Sequence, residues 1–207
     1  MKFLIDWYCY PSKMKGIEMK KFILMFVLFT VALIYSQSER RVFDDFKLQD
    51  YRGRDYSLSN FKDSKAIVII FVSTRCPVSN DYNSRMERIY NDYQNKGVVF
   101  LGINSNKEES IEEIAEHSKK NNLSFIILKD YRNVVADKFK ASYTPEVFVL
   151  SPKFELLYHG RIDDSRKIKN VKSEDLRNAL DEILSGKEVS VKETKAFGCT
   201  IKRVENE

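Results

Sequence analysis

The chain has 207 residues, 43% of them hydrophobic and 31% charged, with a formal net charge of +5 at pH 7. That length suits one well-buried domain and is short for two, and the composition excludes a disordered, collagenous or multi-span membrane protein. Residues 1–36 hold five lysines and two acids, which leaves +2 on the remainder, so no nucleic-acid partner is implied.

Residues 22–35 (FILMFVLFTVALIY) are an unbroken apolar run, preceded by Lys20 and Lys21 and followed by Ser36 and Ser38. This is the layout of a secretory signal peptide, and residues 1–38 are assigned to one, with cleavage near Ser36 to Ser38. The run is shorter than the roughly 18 to 20 residues a bilayer-spanning helix needs, so an uncleaved signal is the only expected link to a membrane. Residues 1–18 add nothing that a signal needs, and a start at Met19 would remove Cys9 and leave Cys76 and Cys199. Export places the protein outside the cytoplasm, in a periplasm-like compartment where paired cysteines tend to become disulfides.

From residue 42 onward, turn signals and apolar runs alternate without an internal repeat or a linker, which predicts one domain over 39–188 and a tail, 189–207, carrying Cys199. Residues 46–49 and 56–58 flank Asp50-Tyr51-Arg52-Gly53-Arg54 and read as an N-terminal β-hairpin. Residues 66–72 (AIVIIFV) form a continuous β-branched and aromatic run, the pattern of a strand covered on both faces. Between Pro77 and Asn95, Tyr82, Met86, Ile89, Tyr90 and Tyr93 recur at helical spacing as packing residues, and Gly97 ends the segment, which predicts one helix. A strand (98–103), a helix (108–121) and a strand (125–128) make a βαβ unit. A short helix (134–139), two strands (146–150 and 156–159) and a closing helix (173–184), capped by Ser173 and stopped by Gly186, complete an α/β domain.

Cys76 lies in Ser73-Thr74-Arg75-Cys76-Pro77-Val78-Ser79, between the strongest strand and the following helix. Unpaired N–H groups and the positive end of the helix dipole favour a thiolate there, and Arg75 adds a nearby cation. A thiolate attacks disulfides and peroxides, whereas a buried cysteine away from such a junction is merely a small apolar residue.

With these residues in view, the chain resembles the thioredoxin-like redoxins, of the alkyl hydroperoxide reductase and thiol-specific antioxidant kind, over roughly residues 42–186. The resemblance implies a thioredoxin-like fold: a central mixed sheet flanked by helices, with the hairpin as an N-terminal extension. It matches Cys76-Pro77 to the attacking cysteine and Thr144-Pro145 to the threonine and cis-proline that face it. Tyr158-His159-Gly160-Arg161-Ile162-Asp163-Asp164 and the tail Phe197-Gly198-Cys199-Thr200-Ile201-Lys202 resemble a narrower group of exported redoxins with a C-terminal Gly-Cys. The implied activity is thiol-disulfide exchange on a protein disulfide, or peroxide reduction, with an external thiol reductant and no cofactor.

Departures from the family pattern limit this. Ser79 stands where dithiol families have the resolving cysteine, so Cys76 can hold a mixed disulfide but cannot release it by itself. Ile70 replaces the buried acid of the preceding strand, and Glu146 is a candidate for a local carboxylate in its stead. Ser73 fits the hydroxyl position of peroxiredoxins, yet Ile69 stands where their proline should be. Cys199 is open to three readings: a resolving thiol, half of a structural staple, or a thiol free or bound to another chain.

His117 reads as the solvated face of a helix. His159 sits at a strand end beside Gly160, but without a Cys-x-x-x-Cys site neither histidine has the partners of a metal centre, and no metal is expected. Arg161, Asp163 and Asp164 read as a turn and salt-bridge cluster. A non-catalytic thioredoxin-fold scaffold with a fixed disulfide is the alternative of a different class.

Overall fold

The structure, a computed structural model, describes residues 41–205. The signal segment assigned to residues 1–38 lies outside the described residues. Among the described residues no helix is long and apolar enough to cross a membrane.

The described chain builds a seven-stranded mixed sheet in the order β2-β1-β5-β4-β3-β7-β8. In chain order the strands are β1 Lys47–Asp50, β2 Asp55–Ser57, β3 Ala66–Phe71, β4 Val98–Asn104, β5 Ile126–Lys129, β7 Glu146–Leu150 and β8 Leu156–Gly160. Two short strands, β6 Tyr143–Thr144 and β9 Cys199–Thr200, pair antiparallel as a separate sheet. The helices are α1 Pro77–Asp81, α2 Asn83–Tyr93, α3 Ile111–Lys120, α4 Val134–Phe139 and α5 Asp175–Leu184.

β3 is central because each of its residues is apolar and buried. It runs parallel to β4 and antiparallel to β7. Val68 and Ile70 point to the face covered by α2, α3 and α5, where they meet Met86, Ile114 and Leu180. Ile67, Ile69 and Phe71 point to the other face, covered by α4 and by Phe43, Phe46 and the tail residue Ile201. Each such side chain contributes about 1.5 to 3 kcal/mol by leaving water. The expected hairpin forms, and β1 also pairs with β5, so the hairpin is the edge of the main sheet.

Three local expectations change. The single helix over 77–95 is broken at Tyr82, which ends α1 and precedes α2 with φ −92° and ψ −9°. Its N–H donates to the Ser79 carbonyl, a tighter i to i−3 bond, while its ring is buried and its hydroxyl donates to Asp163 at 2.8 Å. That tertiary anchor outweighs the continuous apolar spacing.

The helix expected over 108–121 begins only at Ile111, because Ser110 caps it. The Ser110 hydroxyl accepts from the Glu113 N–H, and the Glu113 carboxylate accepts from the Ser110 N–H. Replacing Ser110 with alanine is expected to cost about 1 kcal/mol, seen as a lower urea midpoint at unchanged slope; an unchanged midpoint would show that the cap contributes nothing.

Ser173 does not cap the closing helix. Its hydroxyl donates to the Asp175 carboxylate, and Glu174 takes the cap position without a side-chain bond. Asp175 is held there by Arg161 at 2.6 Å, which draws Ser173 toward the side chain and away from the helix N–H groups.

Candidate functional site

The site forms where the loop after β3 turns into α1. Pro77 occupies the first helical position, where its missing N–H costs nothing, and this leaves Cys76 as the N-cap. Cys76 Sγ accepts from the Ser79 N–H at 3.3 Å, and its residue is only 4% exposed. The N-terminus of a short helix thus points directly at the sulfur.

Opposite stands β6, which leads into a cis Thr144-Pro145 bond. The Thr144 carbonyl oxygen lies 3.3 Å from Cys76 Sγ. β9 pairs with β6 so that Cys199 is the partner of Thr144. Cys199 is thereby brought to Cys76 across 123 positions of sequence, and the two form a disulfide with a Cα–Cα distance of 5.9 Å. Thr144, paired with Cys76 by resemblance alone, stands against the sulfur through its carbonyl, and Pro145 follows it across the cis bond.

Ser79 is fully buried, and its hydroxyl accepts from the Ser73 N–H at 3.2 Å. It stitches the loop to the helix. Ser73 Oγ accepts from the Cys76 N–H at 2.9 Å and from the Arg75 N–H at 3.2 Å, and donates to Glu109. Glu109 also accepts from the Thr74 N–H at 2.7 Å and from the Asn104 amide. One buried carboxylate therefore fixes the whole loop that presents Cys76. Thr74 contributes only backbone to this arrangement, since its buried hydroxyl has no partner.

Arg75 departs from expectation. Its guanidinium reaches away to Glu113 at 2.7 Å and is half exposed, so its charge is already paired. Stabilisation of negative charge at Cys76 is left to the helix N–H groups.

Glu109 was not legible as a site residue, because it sits in an acidic stretch, Glu108 to Glu113, that reads as a helix start. The Ser110-x-x-Glu113 capping box is the signal that places residue 109 outside the helix, where it is free to turn toward the loop.

Glu146, considered above as a substitute acid, is committed to the turn that presents Thr144. It accepts from the Ser142 and Tyr143 N–H groups at 2.7 and 2.9 Å and meets His159 Nε2 at 2.7 Å. Burial opposes its ionisation, but the hydrogen bonds from His159 and from these two amides outweigh it and hold the carboxyl below the usual carboxylate range. A depressed folded-state pKa gives stability that is present above the unfolded value, near 4.5, and lost as pH falls through the folded one. The stability gap between the native chain and Glu146→Gln should therefore be full at neutral pH and close below about pH 4.5. Urea midpoints across that range would show it, and a gap that stays constant with pH would disprove it.

The remaining candidates lie apart. His159 stacks on Phe148 at 4.3 Å between Glu146 and Glu193. His117 is not simply a solvated helix residue: it meets the Asn83 amide at 3.1 Å, and burial lowers its pKa. Arg161 pairs with Asp175 and Asp163 with Arg85, as a salt-bridge cluster. Tyr82 and Tyr93 are buried in the core, and Tyr90 packs against it. No group of three or more His, Cys, Asp or Glu residues among the described residues is placed to hold a metal.

The sequence model of the AhpC/TSA family matches residues 40–159. Among solved structures, a hypothetical protein of Sinorhizobium meliloti 1021 is 34% identical, with a TM-score of 0.76 over 83% of this chain and 97% of that one. The thioredoxin domain of a thiol-disulfide oxidoreductase of Bacteroides vulgatus shares the fold, with a TM-score of 0.58 and 15% identity over 72% of this chain and 99% of that one. A Nicotiana tabacum protein named "Probable phospholipid hydroperoxide glutathione peroxidase" is 30% identical over 104 residues, 48% of this chain and 51% of its own. The chain spans about half the length of the curated relatives it matches.

Proposed function

Because the chain belongs to the AhpC/TSA family, we propose that it is a thiol-dependent oxidoreductase that cycles between a Cys76/Cys199 dithiol and the Cys76–Cys199 disulfide. The observation that carries this reading is the bond itself: it joins a helix N-cap to the strand lying against the cis-proline turn. In the disulfide reaction the Cys76 thiolate attacks a substrate S–S bond, forms a mixed disulfide and expels one thiolate. Cys199 then attacks Cys76 Sγ and expels the second, which closes the internal disulfide. Two electrons from an external thiol reductant reopen it. Thr144 and Pro145 shape the groove, and Ser73, Thr74, Arg75 and Pro77 hold the loop.

Hydroperoxide reduction is a second reading, favoured by the family match and by the peroxidase name of the Nicotiana tabacum relative. Here the Cys76 thiolate attacks the terminal oxygen, the O–O bond breaks and an alcohol leaves. Cys199 condenses with the resulting sulfenic acid and releases water. Both readings share the same oxidised state. We further propose, on the apolar run at residues 22–35, that the protein is exported and works in an oxidising extracytoplasmic compartment.

The test is the thiol state of the purified protein, read by mass spectrometry after alkylation across a series of redox buffers. A bridge that opens near about −200 mV supports a cycle, whereas one that resists reduction beyond about −300 mV is a staple and leaves a non-catalytic scaffold.

A further inference from the structure

The strand opposite Cys76 is supplied by the chain's own tail. β6, the backbone that enters the cis-proline turn, is paired by β9 in the register Tyr143↔Thr200 and Thr144↔Cys199. A short extended segment beside a reactive cysteine is where a polypeptide substrate would add as a strand. Here that edge is filled.

The tail is also held without help from sulfur. Ile201 is 3% exposed in the core on the α4 face, and its N–H donates to the Ser142 carbonyl at 3.0 Å. The Lys202 N–H donates to Asn106 Oδ1 at 2.9 Å, and the Lys202 carbonyl accepts from the Lys107 N–H at 2.8 Å. The Val204 N–H donates to Asn133 Oδ1 at 2.7 Å. Asn133 is buried, and its amide donates back to the Ser105 carbonyl. Gly198 lets the tail approach this closely, because a Cβ there would overlap the Thr144 carbonyl oxygen.

We propose that the docked tail is the specificity element of the Cys76 site. It keeps β9 on β6 in the reduced protein as in the oxidised one, denies that edge to an extended polypeptide, and restricts Cys76 to small disulfides and hydroperoxides, which need no strand pairing. The inference rests on the oxidoreductase reading above. Electrons balance as written there: Cys76 and Cys199 together supply two, and the small substrate accepts two.

Two measurements test it. In reduced Cys9→Ser/Cys199→Ser protein, which keeps the tail and leaves Cys76 as its one thiol, release of thionitrobenzoate is followed with two probes. One is 5,5′-dithiobis(2-nitrobenzoate), and the other is a decapeptide carrying a cysteine–thionitrobenzoate mixed disulfide. Each rate is divided by that of glutathione with the same probe. The peptide should lag the small probe by at least about tenfold, and adding Gly198→Val should bring the ratio of the two normalised rates to within about threefold of one. Equal normalised rates before that substitution, or a lag that survives it, overturn the tail's role. No release from Cys76 with the small probe overturns the oxidoreductase reading itself.

The second measurement needs no substitution in the tail. Amide exchange at Ile201, Lys202 and Val204 should stay within about tenfold between the oxidised and reduced native chain. A collapse of protection on reduction shows a tail that leaves with its disulfide, and overturns the proposal even if Gly198→Val fails to fold.

Discussion

Replacing Cys76 with serine is expected to abolish thiol-dependent turnover, by on the order of 10³-fold or more, with a small disulfide or a hydroperoxide as substrate and dithiothreitol as reductant. A serine hydroxyl at this N-cap receives the same N–H groups but does not ionise near neutral pH, so neither an S–S nor an O–O bond is attacked. Cys199→Ser is expected to behave differently. Reduced beforehand and freed of dithiothreitol, it should consume one equivalent of substrate and then hold Cys76 as a mixed disulfide or sulfenic acid, where the native chain closes the Cys76–Cys199 disulfide, because Ser79, fully buried against Ser73, cannot resolve it. Stopped-flow kinetics with mass spectrometry of the trapped species separates the two. Undiminished steady turnover in Cys76→Ser would end the assignment of Cys76 as nucleophile.

Asp163→Ala is expected to destabilise the chain strongly although it lies outside the sulfur site. Asp163 accepts from Arg85 at 2.6 Å and from the Tyr82 hydroxyl at 2.8 Å, and the Arg85 side chain is only 8% exposed. Removing the carboxylate strands a buried guanidinium and leaves the Tyr82 hydroxyl without its acceptor, for about 3 to 5 kcal/mol. Arg85 keeps its bonds to the Ser165 and Arg166 carbonyls and its place over the Tyr82 ring at 3.6 Å, which favours the lower end of that range. Burial and the Asp163 carboxylate both push the Tyr82 hydroxyl well above its ordinary pKa, so it stays a donor at any working pH. A urea-unfolding loss under about 1 kcal/mol would show that the desolvation of the pair had cancelled its attraction.

The consequence reaches the site through Tyr82. Asp163 holds that ring at the joint between α1 and α2, and α1 is the helix whose N-terminus faces Cys76. A variant that loosens the joint should therefore slow Cys76 as well as destabilise the chain.

Much of the framework was legible because it rests on local patterns. The run Ala66 to Phe71 has no alternation, and the strand it forms is buried on both faces. Pro77 after Cys76, with turns of tyrosine and methionine behind it, placed a helix start at the cysteine. The break at Tyr82 was hidden, because the apolar spacing runs through it without interruption and the cause, Asp163, is 81 residues away.

The site divides along the same line. The amino-acid sequence by itself determined the strand over residues 66–71 that is covered on both faces, the helix start at Cys76 and the absence of a second thiol at Ser79, since each depends on residues within a turn or two of one another. Only the tertiary structure decided that Cys199 is the partner of Cys76, that Glu109 anchors the loop, that Arg75 turns to Glu113, and that the tail covers β6. Those contacts join segments 34 to 123 positions apart. Periodicity and capping rules act over one or two turns of chain, whereas contacts at that separation are chosen by how the packed layers meet and by which buried polar groups must find a partner.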